Sequence, residues 1–166
     1  MAQLIRNRAR CANDWVIAGS EGSEAAHHQL LPLKDYLAEA AAGKAGAGRA
    51  VLLKPEDLDL APLAAHLAQL PVIAVHFGSS GEGRGYTQAR LLRERYGYKG
   101  ELRAVGAIRV DQIFLLARCG FDAFDLAEGE DAATAIAQLD RFSVAYQQGT
   151  GELTHPRMRY GRVIAR

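Results

Sequence analysis

Cysteine is nearly absent from this chain: Cys11 and Cys119 are the only two in 166 residues. They are too few for a disulfide framework, and they lack the paired CxxC spacing of zinc sites and thioredoxin-like centres. An excess of either charge is missing too. Lys and Arg number 20 against 19 Asp and Glu, a formal net charge of +1, without the basic surplus that phosphate-backbone binding favours; nucleic acid is not the expected partner. No apolar run approaches the roughly 20 residues that span a bilayer, and Arg6, Arg8 and Arg10 are followed by no secretory apolar stretch. A cytoplasmic location with no membrane partner is the default expectation.

What is present is ordinary globular composition, 49% hydrophobic and 23% charged, in a length that suits one domain. Residues 1–13 mix Arg with isolated apolar residues and read as an arm. Residues 14–147 read as a single α/β domain, and 148–166, with few core-forming residues, as a tail suited to docking on a partner.

Within the domain, DWVIA (14–18) is strand-like, and Leu31-Pro32-Leu33 opens a helix that Gly43 ends. AVLL (50–53) fits a buried parallel strand. Leu60, Leu63, Leu67 and Leu70 recur at helical spacing up to Pro71. VIAVHF (72–77), rich in β-branched residues, is the clearest strand. Further helices are expected from Tyr86 to Tyr96, along Val110, Ile113, Phe114 and Ala117, and from Glu130 to Phe142, with strands at 102–105 and 121–126 and one more at SVAYQ (143–147). Strands separated by single helices cannot pair as hairpins, so they imply right-handed crossovers. The fold class expected is α/β, with a predominantly parallel sheet, open and doubly wound, or else a partial β/α barrel built from the same local unit.

In such a sheet ligands collect beyond the carboxyl ends of the strands. The loop GSSGEGRG (78–85) offers the Ser79 and Ser80 hydroxyls, flexible amides, the Arg84 guanidinium and the start of the Tyr86 helix. The next loop, GAIRVDQ (106–112), presents Arg109, Asp111 and Gln112. Arg84 and Arg109 together suit a small anion, although neither loop has the spacing of a phosphate-binding or dinucleotide motif. His76, near the end of its strand, and Asp111 are the weak candidates for acid–base chemistry. The five histidines lack metal-ligand spacing, so no metal site is expected. The cofactor is unknown, since no motif for NAD, flavin, iron–sulfur or zinc is present.

GRGYTQARLLR (83–93), continuing through RERYGYKGELRAVG to DQIFLLARCGFDAF, resembles an uncharacterised bacterial family, domain of unknown function 934. Members are often labelled probable oxidoreductase and are associated with assimilatory sulfite reduction and the reductases that precede it; no catalytic residue set comes with the likeness. The resemblance implies an accessory or partner of sulfite reductase or of the preceding reductase, binding an anion at the strand-end loops. Two alternatives stand beside it: a small oxidoreductase acting on a phosphate-bearing or sulfur oxyanion ligand, and a ligand-free scaffolding domain. Self-association is left open.

Overall fold

The computed structural model describes residues 3–20, 27–44, 46, 48–142, 149–150, 158–159 and 162–163. Its main sheet has eight strands: β1 (Gln3–Arg6), β2 (Ala9–Cys11), β3 (Val16–Ile17), β4 (Gln29–Pro32), β5 (Arg49–Leu53), β6 (Val72–Phe77), β7 (Glu101–Gly106) and β8 (Ala123–Leu126). Four helices accompany them: α1 (Leu33–Ala41), α2 (Arg84–Arg90), α3 (Ile113–Arg118) and α4 (Ala132–Gln138). A separate antiparallel pair, β9 (Met158–Arg159) and β10 (Arg162–Val163), lies in the segment read as a tail. The expected strand at SVAYQ falls outside the described residues.

The fold is α/β, but the sheet is mixed rather than predominantly parallel. Its order is β2-β1-β8-β7-β6-β5-β4-β3, and the steps from β3 to β8 are all parallel. Both antiparallel pairings involve β1, which lies between β2 and β8. The segment read as an arm is therefore a hairpin in the sheet, with Leu4 and Ile5 buried. Arg6, Arg8 and Arg10 hide it in the sequence, as does a turn, Asn7-Arg8, without the glycine that marks such hairpins.

The parallel strands follow chain order with no reversal, so there is no switch point of the doubly wound kind; the order is that of a β/α barrel segment. Right-handed crossovers that all step the same way place every helix on one face. The two apolar clusters bear this out. One joins Tyr36, Ala89, Ile113, Leu116 and Ala135 of the helices to Leu31, Val51, Ile73, Val75, Phe77, Leu102 and Phe124 of the strands. The other holds the alternate strand residues Leu30, Ala50, Leu52, Val72, Ala74 and Val105, with Trp15 packed against them and no helix. The alternation follows from the two-residue period of a strand.

Two expected helices changed form. Around Leu60 to Leu70 only one 3-10 turn, Ala61–Leu63, is helical, and the chain continues through turns closed by i to i+3 bonds such as His66 N–H to Leu63 O. Leu60, Leu63, Leu67 and Leu70 are buried all the same, because tight turns bring residues three apart onto one side. The helix expected from Tyr86 to Tyr96 is α only through Arg90 and then widens into a π turn, Leu91–Arg95. There the Arg93 side chain donates to the carbonyls of Gly120 (2.9 Å), Tyr98 (2.8 Å) and Gly100 (2.9 Å) and to Asp122 Oδ2 (2.8 Å). This one side chain ties the helical layer to the starts of β7 and β8.

Arg93→Met leaves these carbonyls and Asp122 without their charged donor, and is expected to cost about 2–4 kcal/mol. Urea unfolding should show a lower midpoint with an unchanged slope; an unchanged midpoint would show that the staple is not structural.

Candidate functional site

The loops after β6 and β7 meet at the carboxyl edge of the sheet. Two glycines permit the approach: a Cβ on Gly85 would stand 2.6 Å from Phe77 Cζ, and one on Gly106, whose φ is +99°, would stand 2.4 Å from the Phe77 carbonyl oxygen. Gln112, almost fully buried, then joins the loops. Its Nε2 donates to Ser80 O (3.0 Å) and Tyr86 Oη (3.4 Å), while its Oε1 accepts from the Arg109 N–H (3.0 Å). Tyr86 packs edge-on against Phe77, ring centroids 5.3 Å apart, and burial raises its phenol pKa.

The two arginines are each held by an acid of their own. Arg84 Nε and Nη2 donate to the two oxygens of Glu82, both at 2.9 Å, and these bonds hold the Glu82 carboxyl down at about 2. Arg109 Nε lies 3.6 Å from Glu130 Oε1, and the other Glu130 oxygen accepts the Val110 N–H at 2.9 Å. Both guanidinium side chains stay more than half exposed, 55% and 62%. Ser79, Ser80 and Asp111 are exposed on the same loops.

His76 stands apart from this group. It alternates with Phe77, so it lies on the helix-free face, half-buried, 3.2 Å from where a Cβ on Gly106 would sit. The structure thus brings Ser80, Tyr86, Arg109 and Gln112 together by contact and sets Arg84 beside them with Glu82, while His76 lies against Gly78 and Gly106 on the other face of the strand. Cys119 is buried, which raises its thiol pKa, and it takes no part. Asp131 caps α4, accepting from the Thr134 N–H at 2.8 Å.

A polar cluster on the helix-free face escaped the sequence reading. Arg103, only 1% exposed, donates from Nε to Glu101 Oε1 (2.6 Å) and from Nη1 to Asn13 Oδ1 (2.7 Å). Asn13 Nδ2 donates to Asp125 Oδ2 (3.0 Å), and Arg6 Nη1 to Glu101 Oε2 (3.2 Å). The other Asp125 oxygen is buried without a partner among the described residues. Burial raises the Asp125 pKa against the opposing pull of Arg103 and the Asn13 bond. The available signal was two opposite charges, Glu101 and Arg103, two residues apart in a strand and so on one face; their partners at Asn13 and Asp125 are too distant in sequence to read.

These features define a class, an α/β barrel segment with a polar edge at the carboxyl ends of its central strands and a buried charge cluster on the helix-free face. The chain belongs to the family described as Bacterial protein of unknown function (DUF934), whose model matches residues 50–156. No curated protein and no solved structure matches it. Among the described residues no helix is long and apolar enough to cross a membrane, and no three His, Cys, Asp or Glu side chains gather to hold a metal ion.

The Asp125 shift carries a sign. A carboxyl whose pKa is raised on folding favours the folded state at low pH and loses that contribution as pH rises from the ordinary value of 3.8 through the raised one. Asp125→Asn should therefore raise the urea midpoint at about pH 7 and leave it unchanged at about pH 3. A variant less stable at both would show that the carboxylate charge is required beside Arg103.

Proposed function

We propose that this protein is an accessory of sulfur assimilation that docks on sulfite reductase or on the reductase preceding it through the loops 78–85 and 106–112, with an anionic group received between Arg84 and Arg109. The observation that carries the reading is the Gln112 bridge, which fixes two loops as one rigid edge while leaving two guanidinium groups exposed on it. Exposed ion pairs contribute little to stability, so Arg84 can exchange Glu82, and Arg109 can exchange Glu130, for a partner's carboxylate or a bound anion at small cost. Prearranged cations of this kind set association rate and orientation more than raw affinity. The sulfur-assimilation part of the reading is supported by the family likeness. The accessory role is favoured over the oxidoreductase alternative by the position of His76, which alternates with Phe77 in β6 and so lies on the other face of the strand from the side on which Tyr86 packs.

Immobilised protein exposed to a lysate of its native host should retain a sulfur-assimilation reductase, and Arg84→Glu combined with Arg109→Glu should release it. Recovery of no such enzyme, or equal recovery by the double variant, would refute the proposal.

A further inference from the structure

Among the described residues Leu58, in the loop after β5, is the most exposed large apolar side chain, 66% open to water. A single exposed leucine is ordinary, but this one stands on a fastened turn. Gln88, buried in α2, donates from Nε2 to Lys54 O and to Asp57 O, both at 2.8 Å. The Asp57 N–H also reaches Lys54 O (3.0 Å), and Asp57 Oδ2 accepts the Lys54 N–H (2.7 Å). On the other side of Leu58, Asp59 Oδ1 takes the Ala61 N–H at 3.0 Å. Leu58 is thus held out between Glu56 and Asp59, both exposed, on a turn with three acids against one lysine in residues 54–59. An apolar group fixed in place loses little freedom on binding.

The next most exposed apolar side chains gather on the helical layer. Leu115, 49% exposed, is the neighbour of Phe114 on α3, and Phe114 meets Phe142, 50% exposed, with ring centroids 5.0 Å apart. Arg118 lies over the Phe114 ring and Arg141 over the Phe142 ring, each 5.8 Å from the centroid. Aromatic and arginine side chains together are the composition of protein interfaces. Of the nearby acids, Asp140 is paired with Arg8, and Asp111 stands in the 3-10 turn before α3. Two such patches face to face would set Arg118 and Arg141 against their own copies, and like charges so placed are costly. The fitting occupant brings an exposed apolar group flanked by acids.

We propose that the Leu58 turn of one copy of this chain docks on the Phe114–Leu115–Phe142 patch of a second copy. Leu58 covers Leu115 and Phe142, while Glu56 and Asp59 face Arg118 and Arg141. The turn matches the patch in apolar character and opposes it in charge. Because the contact joins unlike surfaces, a two-fold dimer makes it twice.

Sedimentation velocity of the purified full chain over a rising concentration series tests this without any other protein. The expected result is a reversible dimer that salt weakens. Leu58→Asp and Leu115→Asp should each weaken it at least about tenfold, a factor that burial of one leucine supports. Glu56→Lys combined with Asp59→Lys should weaken it at low salt with every apolar group in place. The decisive arm mixes the Leu58→Asp and Leu115→Asp variants in equal amounts. One intact turn then meets one intact patch, so a dimer should reappear and nothing larger, a recovery that misfolded variants cannot give. The proposal is overturned if the parent stays monomeric throughout, if Leu58→Asp leaves a dimer as tight as the parent's, as a patch-to-patch contact would, or if the mixed variants stay monomeric.

Discussion

Arg103 brings a guanidinium into the sheet with almost no contact with water, and the groups that satisfy it decide where the beginning of the chain must lie. Glu101 comes from the same strand, but Asn13 comes from the segment after β2, and Asn13 also carries the link onward to Asp125 in β8. A buried charge left without its partners costs several kcal/mol in order of magnitude. The amino-terminal segment is therefore held by more than the burial of Leu4 and Ile5. Arg6, bound to Glu101 from β1, gives the same cluster a second attachment. The mixed character of the sheet follows, since the hairpin that supplies these residues adds antiparallel to β8.

The strand order explains why such a cluster exists at all. With every crossover stepping in one direction, the helices cover one face only, and the other face is left to the sheet's own side chains and to the segment around Asn13 and Trp15. Small residues, Ala50 and Ala74, line that face beside Leu52 and Val72. Trp15 packs there and stacks on His28 with ring centroids 4.8 Å apart. Polar groups on the same face must then be satisfied among themselves, as Glu101, Arg103, Asn13 and Asp125 are but for one Asp125 oxygen.

Much of the fold was legible wherever one physical signal dominated. The β-branched run of β6 and the helical stripe of α3 announced themselves, and the alternation of strands with helices implied the parallel steps. The misreadings have local causes. In Leu30-Leu31-Pro32-Leu33 the strand β4 runs directly into α1, and Pro32, which suits a helix start, drew the helix back over the strand's end. The leucines from Leu60 to Leu70 have helical spacing, yet one 3-10 turn and the i to i+3 turns after it bury residues three apart equally well. Of the candidate site, the two loops and their arginines were visible because loop composition is local. Their ion pairs differ in this respect: Glu82 is next door to Arg84, whereas Glu130 reaches Arg109 from the loop after β8. The face on which His76 lies depends on the sheet, and the Arg103 cluster and the Arg93 staple depend on contacts made only once the chain is folded.

The two edges of the sheet thus differ, with Arg84 and Arg109 exposed at the carboxyl edge beside their acids, and at the amino edge the β1–β2 hairpin held by the buried cluster of Arg103. Everything in this arrangement requires β1 to be a strand of the sheet. Hydrogen–deuterium exchange tests that most directly: the amides of Leu4, Ile5 and Arg6 should be protected to within about tenfold of those of Phe124 and Leu126 in β8. Exchange of those three amides at the rate of an unstructured chain, with β8 still protected, would contradict the account.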